Sequence, residues 1–135
     1  MRALTLVGAL VFVTVAFAQT LAPRPVATAA DLMEHIVVPS STAVFRTSSE
    51  LPKTDVEWKS LRAQALILAE SGNLLMLRAE AKDKAGWMEN AVLLRDASEK
   101  FIAAMEKRDE DAMSETGEEI YLACEQCHEK HLPRR

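Results

Sequence analysis

Residues 124–128 read Cys124-Glu125-Gln126-Cys127-His128, and this C-x-x-C-H run governs how the rest of the chain is read. Two thiols three residues apart, followed at once by an imidazole, form the attachment sequence for c-type haem. The thiols add across the two vinyl groups of haem, and His128 is then placed to ligate the iron. Cys124 and Cys127 are the only cysteines of the chain, so neither belongs to a disulfide framework or a Cys-rich metal site. Two other chemistries use such a pair. A redox dithiol usually sits at a helix N-terminus near a βαβ pattern, whereas this pair closes a helical stretch in a chain with little strand signal. A zinc site takes four ligands, and only His131 is near in sequence as a fourth. The motif therefore points to one covalently bound haem c.

Working back from the motif, a helix is predicted from about Glu110 to His131, with Pro133 just past its end. On it Met113, Gly117, Ile120, Tyr121, Cys124, Cys127, His128 and His131 project to one side, which places the motif on the buried face of an amphipathic helix. Gly117 lowers helix propensity by about 1 kcal/mol relative to Ala, and the close approach of haem or a neighbouring helix would account for it.

Three more amphipathic stretches precede this one. The first runs from about Ala29 to Phe45, capped by Thr28 with Asp31 three residues on. Met33, Ile36, Val37, Ser40 and Val44 share one face, and Pro39 predicts a kink or an early break. The second opens on Thr54-Asp55-Val56-Glu57, a capping-box pattern, and carries a stripe of Leu61, Ala65, Leu68, Gly72 and Leu75 flanked by Trp58 and Met76. The third runs from about Lys84 to Lys107, with Asp83 as cap. Its Trp87, Ala91, Leu94, Ser98, Phe101 and Met105 recur at alternating spacings of four and three, the seam of an antiparallel bundle. Four such helices joined by short links predict an all-α, up-down-up-down antiparallel four-helix bundle with covalently attached haem.

The N-terminus supplies an independent signal. Met1-Arg2 is followed by an apolar run from Ala3 to Ala18 that ends in the A-x-A-like site Ala16-Phe17-Ala18. One positive charge, a short apolar core and small residues at the cut read as a secretory signal peptide over residues 1–18. The run is short for a membrane span. Residues 19–27 read as a flexible leader and 28–135 as one domain. The formal net charge is −4, one unit more negative once Arg2 is removed. An acidic chain argues against nucleic acid as a partner and offers no polybasic membrane patch, so no membrane attachment is expected after cleavage. It is compatible with a basic protein partner.

In these features the chain resembles the class II cytochromes c, the cytochrome c′ and cytochrome c556 group: exported four-helix bundles with C-x-x-C-H near the end of the last helix. The likeness covers most of the chain beyond the signal. It rests on Asp31-Leu32-Met33 with Pro39, the Trp58, Leu61 and Ala65 stripe, the Leu66–Leu77 segment, Trp87, and Ile120-Tyr121 ahead of the motif. The resemblance implies a periplasmic monohaem electron carrier, not an enzyme, with Cys124 and Cys127 as attachment sites and His128 as proximal ligand. It implies a sixth coordination position facing the first helix, where c556-like members carry a methionine. Met33 matches that position and lies on the apolar stripe of its helix, and it is the candidate distal ligand. In c′-type members an apolar residue there leaves iron open to NO or CO, and a gas-binding protein is the alternative reading. His35, about 200° around the helix from Met33, is expected at the surface, and His131 near a haem edge or propionate. Related proteins often pair through their first two helices, so a homodimer is possible on that analogy. The redox partner is not specified by the sequence.

Overall fold

The structure, a computed structural model, describes residues 23–78 and 83–132. The expected signal peptide, the first residues of the leader, residues 79–82 and Pro133 lie outside the described residues. The described residues are all-helical, with four helices and no strand, compatible with a four-helix bundle. Helix α1 comprises the consecutive segments Ala29–Leu32, Met33–Val37 and Val38–Arg46. It is followed by α2 (Asp55–Met76), α3 (Lys84–Glu106) and α4 (Glu110–His131).

Each helix starts where a short polar side chain can accept from the orphan backbone N–H groups of the first turn. Thr28 accepts from the Asp31 N–H at 3.1 Å, while Asp31 accepts from the Thr28 N–H at 2.8 Å. Thr54 and Glu57 form the same reciprocal box at 3.2 and 2.9 Å. The Thr28 hydroxyl and N–H hold the Asp31 carboxyl below its usual range, and the Lys53 and Thr54 N–H groups do the same for Glu57. Asp83 caps α3 through the Gly86 N–H at 2.9 Å, and Asp109 caps α4 through the Ala112 N–H at 3.1 Å.

Pro39 does not break α1. The residues before it form a π turn, Met33–Val37, closed by the Val38 N–H donating to the Met33 carbonyl five residues back. One extra residue in the turn rotates everything beyond it. The buried positions of α1 are accordingly Leu32, Val37, Ser40 and Val44, in steps of five, three and four, while Met33 and Ile36 are half-buried. The Ser40 hydroxyl donates to the Ile36 carbonyl at 2.6 Å, which supplies a bond in the disturbed ladder.

Each helix packs on the next, α1 on α2, α2 on α3 and α3 on α4. The indole N–H of Trp87 donates to the Leu75 carbonyl at 2.8 Å near one end of α2 and α3, and Arg62 pairs with Glu106 at 3.0 Å near the other, so the two helices run antiparallel. Their backbones come close at Gly72, where a Cβ would stand 2.7 Å from the Ala91 carbonyl oxygen and 2.9 Å from the Arg95 Cβ. The predicted stripes of α2 and α3 form the core, with Ala65, Leu68 and Phe101 fully enclosed. A tight turn joins α3 to α4. The Asp109 N–H bonds the Ala104 carbonyl at 3.1 Å and the Arg108 N–H bonds the Met105 carbonyl at 2.9 Å, a Schellman arrangement with Arg108 at φ 54° where glycine is usual. The Arg108 guanidinium lies 5.0 Å from the Trp58 ring centroid and pairs with Asp55 at 2.8 Å.

The seam between α1 and α4 is the open one. Phe45 and Tyr121 meet across it edge to face, with ring centroids 6.3 Å apart, and a cavity lies on either side of this pair. Among the described residues no helix is long and apolar enough to cross a membrane.

Candidate functional site

The C-x-x-C-H run occupies the last two turns of α4, and its residues line a cavity of about 430 Å³ in the α1–α4 seam. Cys124, Cys127 and His128 form one wall. Met33, Val37, Val38, Ser41 and Phe45 of α1 face them, and Leu75, Leu94 and Asn90 close the back. A volume of this order is that of a small-molecule or cofactor pocket, and the mixture of apolar wall and few polar groups is typical of one. Met33, Cys124, Cys127 and His128 all line this one cavity. His35 is exposed and does not line the cavity, in accord with its expected surface position.

The π turn is what aims α1 at this site. It begins at Met33 and ends at Val37, both cavity residues, and π turns inside helices recur at functional sites. Both cysteines carry free thiols. Burial pushes the Cys124 thiol up to about 11, with the neighbouring Cys127 adding to the effect, and burial also raises Cys127. In the chain without a bound group the two sulfurs are therefore neutral and half-buried rather than thiolates.

Three details differ from the sequence reading. The buried stripe of α4 is Met113, Thr116, Ile120 and Ala123, rotated from the one expected. This stripe packs in the bundle, while Tyr121, Cys124 and His128 sit at its edge toward the α1–α4 seam. Tyr121 and His128 are exposed and the cysteines half-buried. No neighbouring helix comes close to Gly117, where a Cβ would meet no protein atom within 4 Å. His131 turns to Trp87, their ring centroids 5.2 Å apart and edge to face, and lines a different cleft with Arg78 and Lys130. Its Nε2 is buried and is, among the described residues, the one buried side-chain polar atom with no hydrogen-bond partner. Among the described residues no three His, Cys, Asp or Glu side chains gather as a metal-holding group, so His131 does not complete a zinc tetrad with the motif.

Asn90 was not singled out from sequence. It is buried on the cavity wall and its side-chain amide donates to the Gly86 carbonyl at 2.9 Å. The only trace in the sequence is a polar residue beside Ala91 in an otherwise apolar seam. Phe45 and Val38 were likewise missed as lining residues, each lying one position beyond a residue of the expected stripe, Val44 and Val37. No protein-family model, curated protein or solved structure matches this chain, so a functional reading rests on its motif and on this geometry.

Proposed function

We propose that this protein is an exported monohaem c-type cytochrome that carries electrons, with haem c in the α1–α4 cavity. The observation that carries the reading is the convergence on one largely apolar cavity of both thiols and the imidazole of a C-x-x-C-H motif from α4 and a thioether from α1. The fit is chemical as well as spatial. Cys124 and Cys127 offer the two sulfurs that thioether attachment needs, His128 would offer an imidazole nitrogen to the iron, and Met33 would offer a thioether sulfur from the facing helix. Bound there, haem would supply a one-electron iron couple whose potential is set by axial ligand identity and by burial.

The protein's part is to bind and to insulate. Val37, Leu75 and Leu94 give the cavity an apolar floor, against which burial of haem would disfavour the more charged oxidation state. Met33, holding the iron through its thioether, would raise the potential relative to a second nitrogen ligand. Tyr121 and Phe45 close the cavity toward the lower seam. Electron transfer through haem would require no bond-making catalysis on a substrate. The reading places the protein in the periplasm, in keeping with the signal-peptide pattern of residues 1–18, and in the class II cytochrome c family by resemblance.

The test is the mass of the chain after export from a host that attaches haem c, measured under denaturing conditions. The wild-type chain is expected to carry one haem that denaturation does not remove. Cys124→Ala together with Cys127→Ala is expected to leave none attached. A wild-type chain of bare polypeptide mass would overturn the proposal.

A further inference from the structure

Charge is distributed unevenly among the clefts of the bundle. The two cavities of the α1–α4 seam are lined by six carboxylates, Glu50, Glu110, Asp111, Glu118, Glu125 and Glu129, and by no lysine or arginine. The clefts that cations line carry both signs, with Glu50 and Glu57 in one and Asp83 in the other. Arg46 and Lys53 line the groove between α1 and α2, and Arg78 and Lys130 line the cleft beside His131. Glu50 is partly offset by Lys53 at 3.1 Å. The other five form no ion pair among the described residues.

The same face carries exposed apolar surface. Val38 is 56% exposed, Tyr121 51% and Leu122 42%. Helical spacing places Leu122 on the stripe of Glu118, Glu125 and Glu129. Val38 and Tyr121 line the cavity that holds the C-x-x-C-H motif. Apolar contacts surrounded by charge have the anatomy of a transient protein interface. A second copy of this chain would bring like charges together across the face, which costs affinity.

We infer that the α1–α4 face is the docking surface for a basic electron-transfer protein, which sets its lysine or arginine side chains against these carboxylates and an apolar contact against Val38, Tyr121 and Leu122. The inference rests on the proposed function, since it is the haem cavity that opens on this face. Complementary charge steers encounter and sets orientation, and its effect falls with added salt. An electron carrier gains from both, because a partner guided by these carboxylates meets the open side of the cavity.

The test uses the full haem-loaded protein and mitochondrial cytochrome c as a basic redox probe, with binding followed by NMR titration of the backbone amides. Saturable shifts are expected at Val38, Tyr121, Leu122 and Glu125 at low ionic strength, weakening at about 0.15 M salt. Neutralising three carboxylates of the face, Glu118→Gln, Glu125→Gln and Glu129→Gln together, is expected to weaken binding by roughly tenfold. Neutralising three exposed carboxylates of α2 and α3, Glu70→Gln, Glu89→Gln and Glu99→Gln, is expected to change it less than twofold. Equal losses in the two triple variants, shifts confined to another face, or self-association of the chain through this face would each overturn the inference. Haem content is read separately by mass, so a haem-loaded chain that fails to dock overturns the docking surface alone, whereas a chain without haem overturns the proposed function.

Discussion

The same substitution is expected to act with opposite sign at two glycines of this bundle. At Gly72 a Cβ would lie 2.7 Å from the Ala91 carbonyl oxygen, 2.9 Å from the Arg95 Cβ and 3.1 Å from the Arg95 amide nitrogen. Two of these three atoms belong to backbone and cannot rotate away. For Gly72→Ala, α2 and α3 must part by about 0.7 Å to reach ordinary contact, and overpacking of this kind costs about 1–3 kcal/mol. Replacing a helical glycine by alanine returns about 1 kcal/mol of propensity. The net is a loss of about 1 kcal/mol, or about 4–8 °C in Tm for a domain of this size. At Gly117 a Cβ meets nothing within 4 Å, so Gly117→Ala keeps the propensity gain and is expected to stabilise by about 1 kcal/mol. Thermal and urea unfolding followed by helical circular dichroism measure both. A Gly72→Ala protein as stable as wild type would refute the close approach of α2 and α3. A destabilised Gly117→Ala protein would refute the openness of the α1–α4 seam.

Other expectations follow from named contacts. Met33→Ala should leave the helical content unchanged while converting the haem to a high-spin form that binds CO, seen by absorption; a spectrum like wild type would mean that Met33 only fills the cavity. In the haem-free chain the Cys124 thiol, at about 11 against the usual 9.0, should be alkylated about a hundredfold more slowly at neutral pH than an open thiol, read by mass after timed labelling. Because this thiol is raised in the folded state, its contribution to stability is complete below about pH 9 and is lost as pH rises through about 11, by at most about 3 kcal/mol; urea midpoints across that window test the sign. Arg108→Ala keeps the unfavourable positive φ and loses the Trp58 and Asp55 contacts, so it should cost about 1 kcal/mol, whereas Arg108→Gly relieves the backbone and should be close to neutral in the same unfolding assay.

Much of the helical framework was legible because it is written in local chemistry. Thr54 and Glu57 satisfy each other's backbone donors wherever the chain goes, and so do Thr28 and Asp31, so these helix starts could be read to the residue. The Leu61–Leu75 and Ala91–Met105 stripes follow the period of an undisturbed helix and proved to be the core. The line failed at Pro39. A missing N–H can be met by a kink, a break or an extra residue in the turn, and local pattern does not choose among them. With the π turn that resulted, Val37, Ser40 and Val44 stay buried as expected, but ahead of them Leu32 is buried while Met33 and Ile36 are only half-buried. Gly72 and Gly117 both lie on apolar stripes, and only the distance between helix axes tells which one meets a neighbour. His131 lies one turn beyond His128, yet Trp87 captures it, a contact between residues far apart in sequence. The candidate site was legible as a motif, and as a site only insofar as Met33 happened to start the turn that faces it.

The most direct test of the account is the absorption spectrum of the purified exported protein, ferric and ferrous, with and without CO. The account expects the spectrum of one c-type haem, low-spin in both states, with a weak far-red sulfur-to-iron band and no change on adding CO. Absence of any haem absorption would contradict the proposed function itself, and a high-spin spectrum that shifts with CO would contradict axial ligation by Met33 and make this a gas-binding cytochrome instead.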